Sequence, residues 1–108
     1  MSLPVLVTER AHNELDDAYR WWAKHRSSEQ ANRWYNEFLV ALESLADDAN
    51  RWAVARENDS FPYEIRELHF GLARRPTHRA VFTIRPESVL VLTIQHVSQR
   101  ELTSDDLP

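Results

Sequence analysis

Several residue types that mark common classes of protein are scarce or missing in this chain. None of its 108 residues is cysteine, which excludes disulfides and thiolate metal sites. No apolar run approaches the roughly 20 residues that a membrane-spanning helix needs, and the N-terminus has no cationic stretch followed by a long apolar one. Lys24 is the single lysine, so lysine chemistry is excluded from most of the chain. We therefore expect a cytoplasmic protein with no membrane association.

The basic side chains that are present are distributed unevenly. Arginine supplies 12 of the 13 basic residues. Residues 1–60 carry a net charge of −4, residues 61–100 carry +3 and residues 101–108 carry −3. The overall net charge of −4 argues against a general nucleic-acid binder, because such binding depends on the neutralisation of phosphates. The local excess of arginine predicts instead a cationic patch in the second half of the fold.

Hydrophobic periodicity predicts two helices in the first half. Thr8 is suited to an N-cap position, and the helix that follows should end near His25 and Arg26. Ser27 and Gln30 fit the capping-box pattern at the start of a second helix. Apolar residues recur at helical spacing in both segments: Ala11, Leu15, Ala18, Tyr19 and Trp22, then Ala31, Trp34, Phe38, Leu42 and Leu45. Because the connection is short, we expect an antiparallel helical hairpin.

Extended segments dominate the rest of the chain. A β-rich run lies at the N-terminus, and strand-like runs lie near residues 63–70, 77–84 and 88–97. Residues 52–56 allow either a short strand or an irregular loop. Gly71, the only glycine, predicts a position of positive φ or of close backbone approach.

These elements predict the α+β class. We expect one domain over residues 1–100, with an N-terminal strand, the helical hairpin and then a three-stranded antiparallel sheet. A short acidic tail should follow over residues 101–108. The hairpin is expected to cover one face of the sheet and to leave guanidinium groups on the other.

Short motifs occur in a fixed order between Leu6 and Arg100. They are Ala11-x3-Leu15, Gln30-Ala-Asn-Arg-Trp34 with Phe38 and Leu42-x2-Leu45, Glu64-Ile-Arg66-Glu-Leu68-x2-Gly71, His78-Arg-Ala-Val-Phe82, and Val89-x4-Ile94-x-His96. With this order and this length, the chain resembles the RelE/ParE superfamily of bacterial toxins. The long hairpin is more similar to the ParE-like, plasmid-stabilisation branch than to the RelE branch.

The resemblance implies the toxin of a type II toxin–antitoxin system, held inactive by a cognate antitoxin. RelE-like members cut mRNA in the ribosomal decoding site, whereas ParE-like members are associated with poisoning DNA gyrase and are not nucleases. The possible targets are therefore DNA gyrase or the ribosome with its mRNA, and the fold alone does not choose between them. No cofactor is implied, and the five histidines lack the spacing of a metal site.

Four residues are candidates for catalysis if the chain is a nuclease. Arg79 and Arg100 match positions where RelE-like nucleases place functional arginines, and Arg66 lies where that branch often has lysine. Arginine can stabilise the charge of a phosphorane through bidentate contacts. His96 is a possible acid or base.

The same residues also have structural interpretations. Arg79 suits the solvated side of a strand, Arg66 suits ion pairs with Glu64 or Glu67, and Arg100 suits a pair with the acidic tail. For His96, which continues the face of Leu90, Leu92 and Ile94, a half-buried and hydrogen-bonded position is the favoured interpretation.

Departures from the nuclease pattern favour a ParE-like toxin. Glu64 reverses the charge of a position that is lysine in some nucleases, and no tyrosine follows Tyr63. We therefore expect a toxin that acts by protein–protein contact. The alternatives are a RelE-like endonuclease and a non-toxic relic that only binds an antitoxin. A homodimer of the free chain is compatible with each of these.

Trp21 falls off the apolar stripe of the first helix. This position predicts either an interface anchor or a side chain that covers the flank of a neighbouring helix.

Overall fold

The computed structural model describes residues 2–99 and 101–107. Its helices are α1 (Glu9–His25), α2 (Ser28–Glu43) and the short α3 (Leu45–Asp48), with 3₁₀ turns at Ala49–Arg51 and Asn58–Ser60. Its strands are β1 (Val5–Val7), β2 (Arg66–Phe70), β3 (His78–Ile84) and β4 (Val89–His96). They form one sheet in the order β1-β4-β3-β2, in which only the β1–β4 pair is parallel. The predicted α+β class is confirmed.

Local capping begins both helices of the hairpin at the predicted residues. The Thr8 side chain accepts a hydrogen bond from the Ala11 amide at 3.1 Å, and the Ser27 side chain accepts one from the Gln30 amide at 3.0 Å. Each bond satisfies an amide that a helix N-terminus leaves unpaired. The first helix ends where the Arg26 amide donates to the Trp22 carbonyl. The hairpin is therefore specified by short-range signals that the sequence displays.

The hairpin packs its apolar stripe on one face of the sheet, which we call the helix face. The buried residues of this core are Ala11, Leu15, Trp34, Phe38, Leu42, Leu45, Ala49, Leu68, Ala80, Phe82, Val89, Val91 and Ile94. They come from all three helices, from the 3₁₀ turn at Ala49–Arg51 and from the three longer strands. This burial of apolar surface is the main force that holds the helices against the sheet.

A bulge in β4 changes which side chains share a face. Val81 pairs with Thr93 while the next residue of β3, Phe82, pairs with Val91. Leu92 is thus an extra residue without a partner in β3. Strict alternation predicted one face for Leu90, Leu92, Ile94 and His96, and that prediction is wrong. Leu92 packs on the opposite side of the sheet from Ile94, because an extra residue reverses the alternation.

The second face of the sheet is covered as well. Its buried core consists of Ala55, Ile65, Val81, Leu92, Leu102 and Leu107. The last two residues belong to the C-terminal segment, which was expected as an acidic tail. Its Leu102 amide donates to Glu57 Oε2 at 2.8 Å, and Arg10 Nη1 donates to the Asp106 carbonyl. The expectation of an uncovered face that carries guanidinium groups is therefore wrong, because apolar side chains from the loops occupy that face.

The segment at residues 52–56 is a loop with a single β-bridge, between Val54 and Arg66. The Ala55 amide donates to the Ile65 carbonyl at 2.8 Å, and the Glu67 amide donates to the Ala53 carbonyl at 3.2 Å. These bonds hold the loop along the free edge of β2. Among residues 2–99 and 101–107, no helix is both long enough and apolar enough to cross a membrane.

Candidate functional site

Arg79 is the most deeply buried of the predicted site residues that the structure describes, with 1% of its surface exposed. It lies on the second face, where Nη1 donates to Glu57 Oε1 at 2.9 Å and to Glu67 Oε2 at 3.0 Å. Nη2 donates to Glu57 Oε2 and, at 2.9 Å, to Gln95 Oε1. We call Arg79, Glu57, Glu67 and Gln95 the arginine cluster. The interpretation of Arg79 as a solvated side chain is wrong, because the loop that carries Glu57 folds over it.

Each charge in the arginine cluster is stabilised by its neighbours. Burial alone would raise the pKa of the Glu57 carboxyl, but the hydrogen bonds from Arg79 and from the Leu102 amide lower that pKa below its usual 4.5. Burial is likewise outweighed at Glu67, whose pKa is lowered by His69 and by the Arg56 amide. Burial alone would lower the pKa of the Arg79 guanidinium, but the hydrogen bond with Glu57 and the charges of Glu57 and Glu67 outweigh burial and raise that pKa above its usual value. The cluster is therefore ionised at neutral pH, and its guanidinium nitrogens Nη1 and Nη2 are committed to carboxylates.

Arg66 is bound in a different place. Its Nε donates to Glu64 Oε1 at 3.0 Å, and its Nη1 donates to the Asn50 carbonyl at 3.3 Å and to the Trp52 carbonyl. The pairing with Glu64 that the sequence allowed is thus present. In β2, Arg66 lies two residues before Leu68 and therefore shares its face, which is the helix face. In β3, Arg79 lies next to Ala80, which packs on the helix face, so Arg79 lies on the second face. Arg66 and Arg79 are therefore on opposite faces of the sheet. These two arginines do not form a common phosphate site.

His96 lies at the end of β4, opposite His78 at the start of β3. The prediction that His96 is half-buried is wrong, because the side chain is exposed at the strand end. Its Nδ1 accepts a hydrogen bond from the Ser98 amide at 3.1 Å. The two imidazole rings are 5.3 Å apart between centroids. Burial, with a smaller repulsion from His96, lowers the pKa of His78 from 6.5 to about 4, so His78 is neutral at pH 7.

The fourth predicted residue, Arg100, lies outside the described residues. Of the other three, no two share a contact: Arg66 lies beside the loop at residues 50–52, Arg79 lies inside the second face and His96 lies at the strand ends. The described part of the chain also contains no group of three or more histidine, aspartate or glutamate side chains placed to hold a metal ion.

A cleft between α1 and the strand ends was not anticipated from the sequence. Its volume is about 410 Å³, and we call it the hairpin cleft. It is lined by Ala18, Trp21, Trp22, Arg26, Thr77, His78 and His96. The exposure of Trp21 outside the apolar stripe was the one signal in the sequence that pointed to this surface. The pairing of His78 with His96 depends on strand register, which the sequence alone does not fix.

Comparison with known proteins identifies the family. Residues 5–101 match the family described as the ParE toxin of the type II toxin–antitoxin system parDE. No curated protein matches the sequence significantly. A solved structure described as a chromosomal ParDE toxin–antitoxin system from P. aeruginosa is similar to this chain, with a TM-score of 0.71 and 21% sequence identity over 90% of this chain and 98% of that one. At this identity the structural similarity supports the fold, while the family match covers most of the sequence. The chain therefore belongs to the ParE toxin family of type II toxin–antitoxin systems.

Proposed function

We propose that this chain is a toxin that acts through protein–protein contact and is neutralised by a cognate antitoxin. The proposal of a contact mechanism rests on one observation: Arg79 is bound by two carboxylates, Glu57 and Glu67, inside the second face. An arginine that stabilises a phosphorane must offer its donors to the phosphate. Releasing Arg79 would take away the buried guanidinium that both the Glu57 and the Glu67 carboxylates bind, which is strongly unfavourable.

The placement of the other candidates supports the same proposal. Metal-free RNA cleavage needs a base, a phosphate-stabilising cation and an acid within reach of one phosphodiester. Arg66 lies on the helix-face side of β2, and His96 lies at the far end of β4. The RelE-like nuclease alternative would need these groups to converge. We therefore favour a contact mechanism, with DNA gyrase as the expected target, since the ParE-like branch is associated with that enzyme.

The proposal of an antitoxin partner is supported by the family and by the similar solved structure, whose description names a ParDE toxin–antitoxin system. Exposed apolar side chains on this chain offer contacts for such a partner. They are Leu6, Val7, Trp21, Val40, Val54 and Ile84. An antitoxin segment that is disordered alone and folds on binding could cover several of these positions at once.

Induced expression tests the proposal. We expect growth arrest when the chain is expressed alone and normal growth when the protein encoded by the adjacent gene is expressed with it. Purified chain should inhibit DNA supercoiling by gyrase, and primer extension on mRNA from arrested cells should show no new cuts in the ribosomal A site. Cuts at A-site codons would instead establish the nuclease alternative. Normal growth on induction, with the antitoxin still bound, would identify a non-toxic relic.

A further inference from the structure

The walls of the hairpin cleft are connected to one another and to the core by aromatic contacts. Trp22 stacks on the buried Trp34 with their centroids 6.3 Å apart, and His78 packs edge-on against the same ring at 5.0 Å. Trp21 stacks on His25 at 4.8 Å. Because Trp34 is fully buried, the cleft is anchored to the main core. A preformed, largely apolar concavity of this kind is typical of a binding site.

One side of the cleft carries an uncompensated positive charge. Arg26, at the end of α1, has no carboxylate within ion-pair distance among the described residues. Other exposed arginines of the hairpin are paired: Arg10 with Glu14, Arg20 with Asp17, and Arg33 with Glu37. An unpaired guanidinium beside an apolar concavity is complementary to an apolar group that carries a nearby negative charge.

Trp21 forms the exposed wall of the cleft, with 49% of its surface accessible. Tryptophan and arginine are the side chains most enriched among residues that dominate protein–protein binding energy. Here Trp21 lies near the end of α1 and Arg26 is the residue that caps the end of the same helix. Both residues line the cleft. A partner that covers Trp21 would therefore also meet Arg26.

We propose that the hairpin cleft binds a segment of the antitoxin in which a bulky apolar side chain lies next to a carboxylate. The apolar side chain enters between Trp21, Trp22 and His78, and the carboxylate pairs with Arg26. His78, which is neutral at pH 7, contributes its ring as an apolar wall. This assignment rests on the proposed antitoxin partner, and it names where on this chain that partner is anchored.

A small probe tests the chemistry of the cleft without any partner protein. N-acetylphenylalanine carries an aromatic ring and a carboxylate, and N-acetylphenylalaninamide carries the same ring without the charge. In a ¹⁵N-labelled sample at pH 7, we expect N-acetylphenylalanine to shift the indole signals of Trp21 and Trp22. The signal of Trp52, which does not line the cleft, should stay in place. Absence of shifts at Trp21 and Trp22 would overturn the assignment.

The Arg26→Gln variant separates charge recognition from ring binding. It should weaken the binding of N-acetylphenylalanine about three- to tenfold, within the range of a typical net hydrogen bond at an exposed site, and leave the binding of the amide probe unchanged. Arg33→Gln, which removes an exposed arginine elsewhere on the hairpin, is the matched control and should bind both probes as the wild type does. An equal effect of Arg26→Gln on the two probes would show that the guanidinium does not recognise the carboxylate.

Copurification with the protein encoded by the adjacent gene tests the partner. Trp21→Ala should weaken that complex by roughly tenfold or more, as expected when a central tryptophan is removed, and Arg33→Gln should not. This readout does not depend on growth arrest, so a non-toxic chain that binds through Trp21 would refute the toxin proposal and support the cleft. Retention of the full complex by Trp21→Ala, or a homodimer of the free chain that Trp21→Ala abolishes, would overturn the antitoxin as occupant.

Discussion

Arg79 and Glu57 form a two-point ion pair within the second face of the sheet, with Nη1 2.9 Å from Oε1 and Nη2 bonded to Oε2. The same Glu57 carboxylate accepts a hydrogen bond from the Leu102 amide. One carboxylate therefore joins the loop after the hairpin, the strand β3 and the C-terminal segment. Three segments that are distant in sequence are thus held together by the buried charge of Glu57.

Glu57→Gln should destabilise the protein by about 3 kcal/mol, because removal of one partner leaves the other charge buried and poorly compensated. Urea unfolding monitored by tryptophan fluorescence measures this loss. Glu37→Gln is the matched control: it breaks the exposed pair with Arg33 and should cost less than about 1 kcal/mol. Similar losses for the two variants would contradict the buried, charged state of the arginine cluster.

Leu102→Ala should cost about 2–4 kcal/mol, since it removes a buried leucine and leaves a cavity. Leu102 is 3% exposed and packs with Ile65 and Val81 on the second face. Leu6→Ala, at a position that is 51% exposed on the edge strand β1, is the control for the same change of side chain. If the two variants have the same midpoint in urea, the C-terminal segment does not contribute to the core.

Stability should fall between pH 6.5 and about 4 because of His78. Its pKa is lowered from 6.5 to about 4 in the folded chain, so the unfolded chain binds more protons in this range. The stabilisation is full above pH 6.5 and is lost as the pH falls towards 4. We expect a loss on the order of 2 kcal/mol, after allowance for partial solvent screening of the ring.

Unfolding by urea at a series of pH values, for wild type and His78→Phe, measures this dependence. Between pH 6.5 and 4.5, the free energy of unfolding of the variant should depend less on pH than that of the wild type. Below pH 4.5 both proteins should lose further stability, because Glu57 and Glu67, whose pKa values are lowered in the folded chain, become protonated. This loss does not involve His78, so it should be the same in the wild type and in the variant. A wild-type profile that is already flat above pH 4.5 would show that His78 titrates normally.

Gly71→Ala should destabilise the protein by about 1–3 kcal/mol through a backbone clash. A Cβ atom at this position would lie 2.6 Å from the Arg75 carbonyl oxygen and 2.9 Å from Pro76 Cα. The φ angle of Gly71 is not positive, so of the two expectations for this glycine the close approach is the one confirmed. Thermal unfolding should show a lower midpoint for Gly71→Ala, while Ala73→Ser, at an exposed position of the same loop, should match the wild type.

The helical hairpin was predictable in detail because its signals are local. Thr8 and Ser27 cap the helices through bonds to residues three positions away, and the apolar stripe has the period of a helix. Trp34 was predicted to be part of the apolar stripe and is buried, and Trp21 was predicted to lie off the stripe and is exposed. The three long strands were also recognised, with boundaries close to those observed.

The candidate site was less predictable, because it depends on contacts between distant segments. The bulge at Leu92 reverses the face of every residue beyond it, and a two-residue period cannot reveal an extra residue. His78 and His96 become neighbours only through the register of β3 and β4.

The sequence by itself determined the elements, their order and the family, since periodicity, caps and motif spacing are properties of short stretches of chain. The tertiary structure alone decided the environment of the charges. Arg79 carries the same charge in any conformation, yet whether it meets solvent or two carboxylates depends on a loop 22 residues away. The free energy of a charge is set by its surroundings, and those surroundings exist only once the chain has folded.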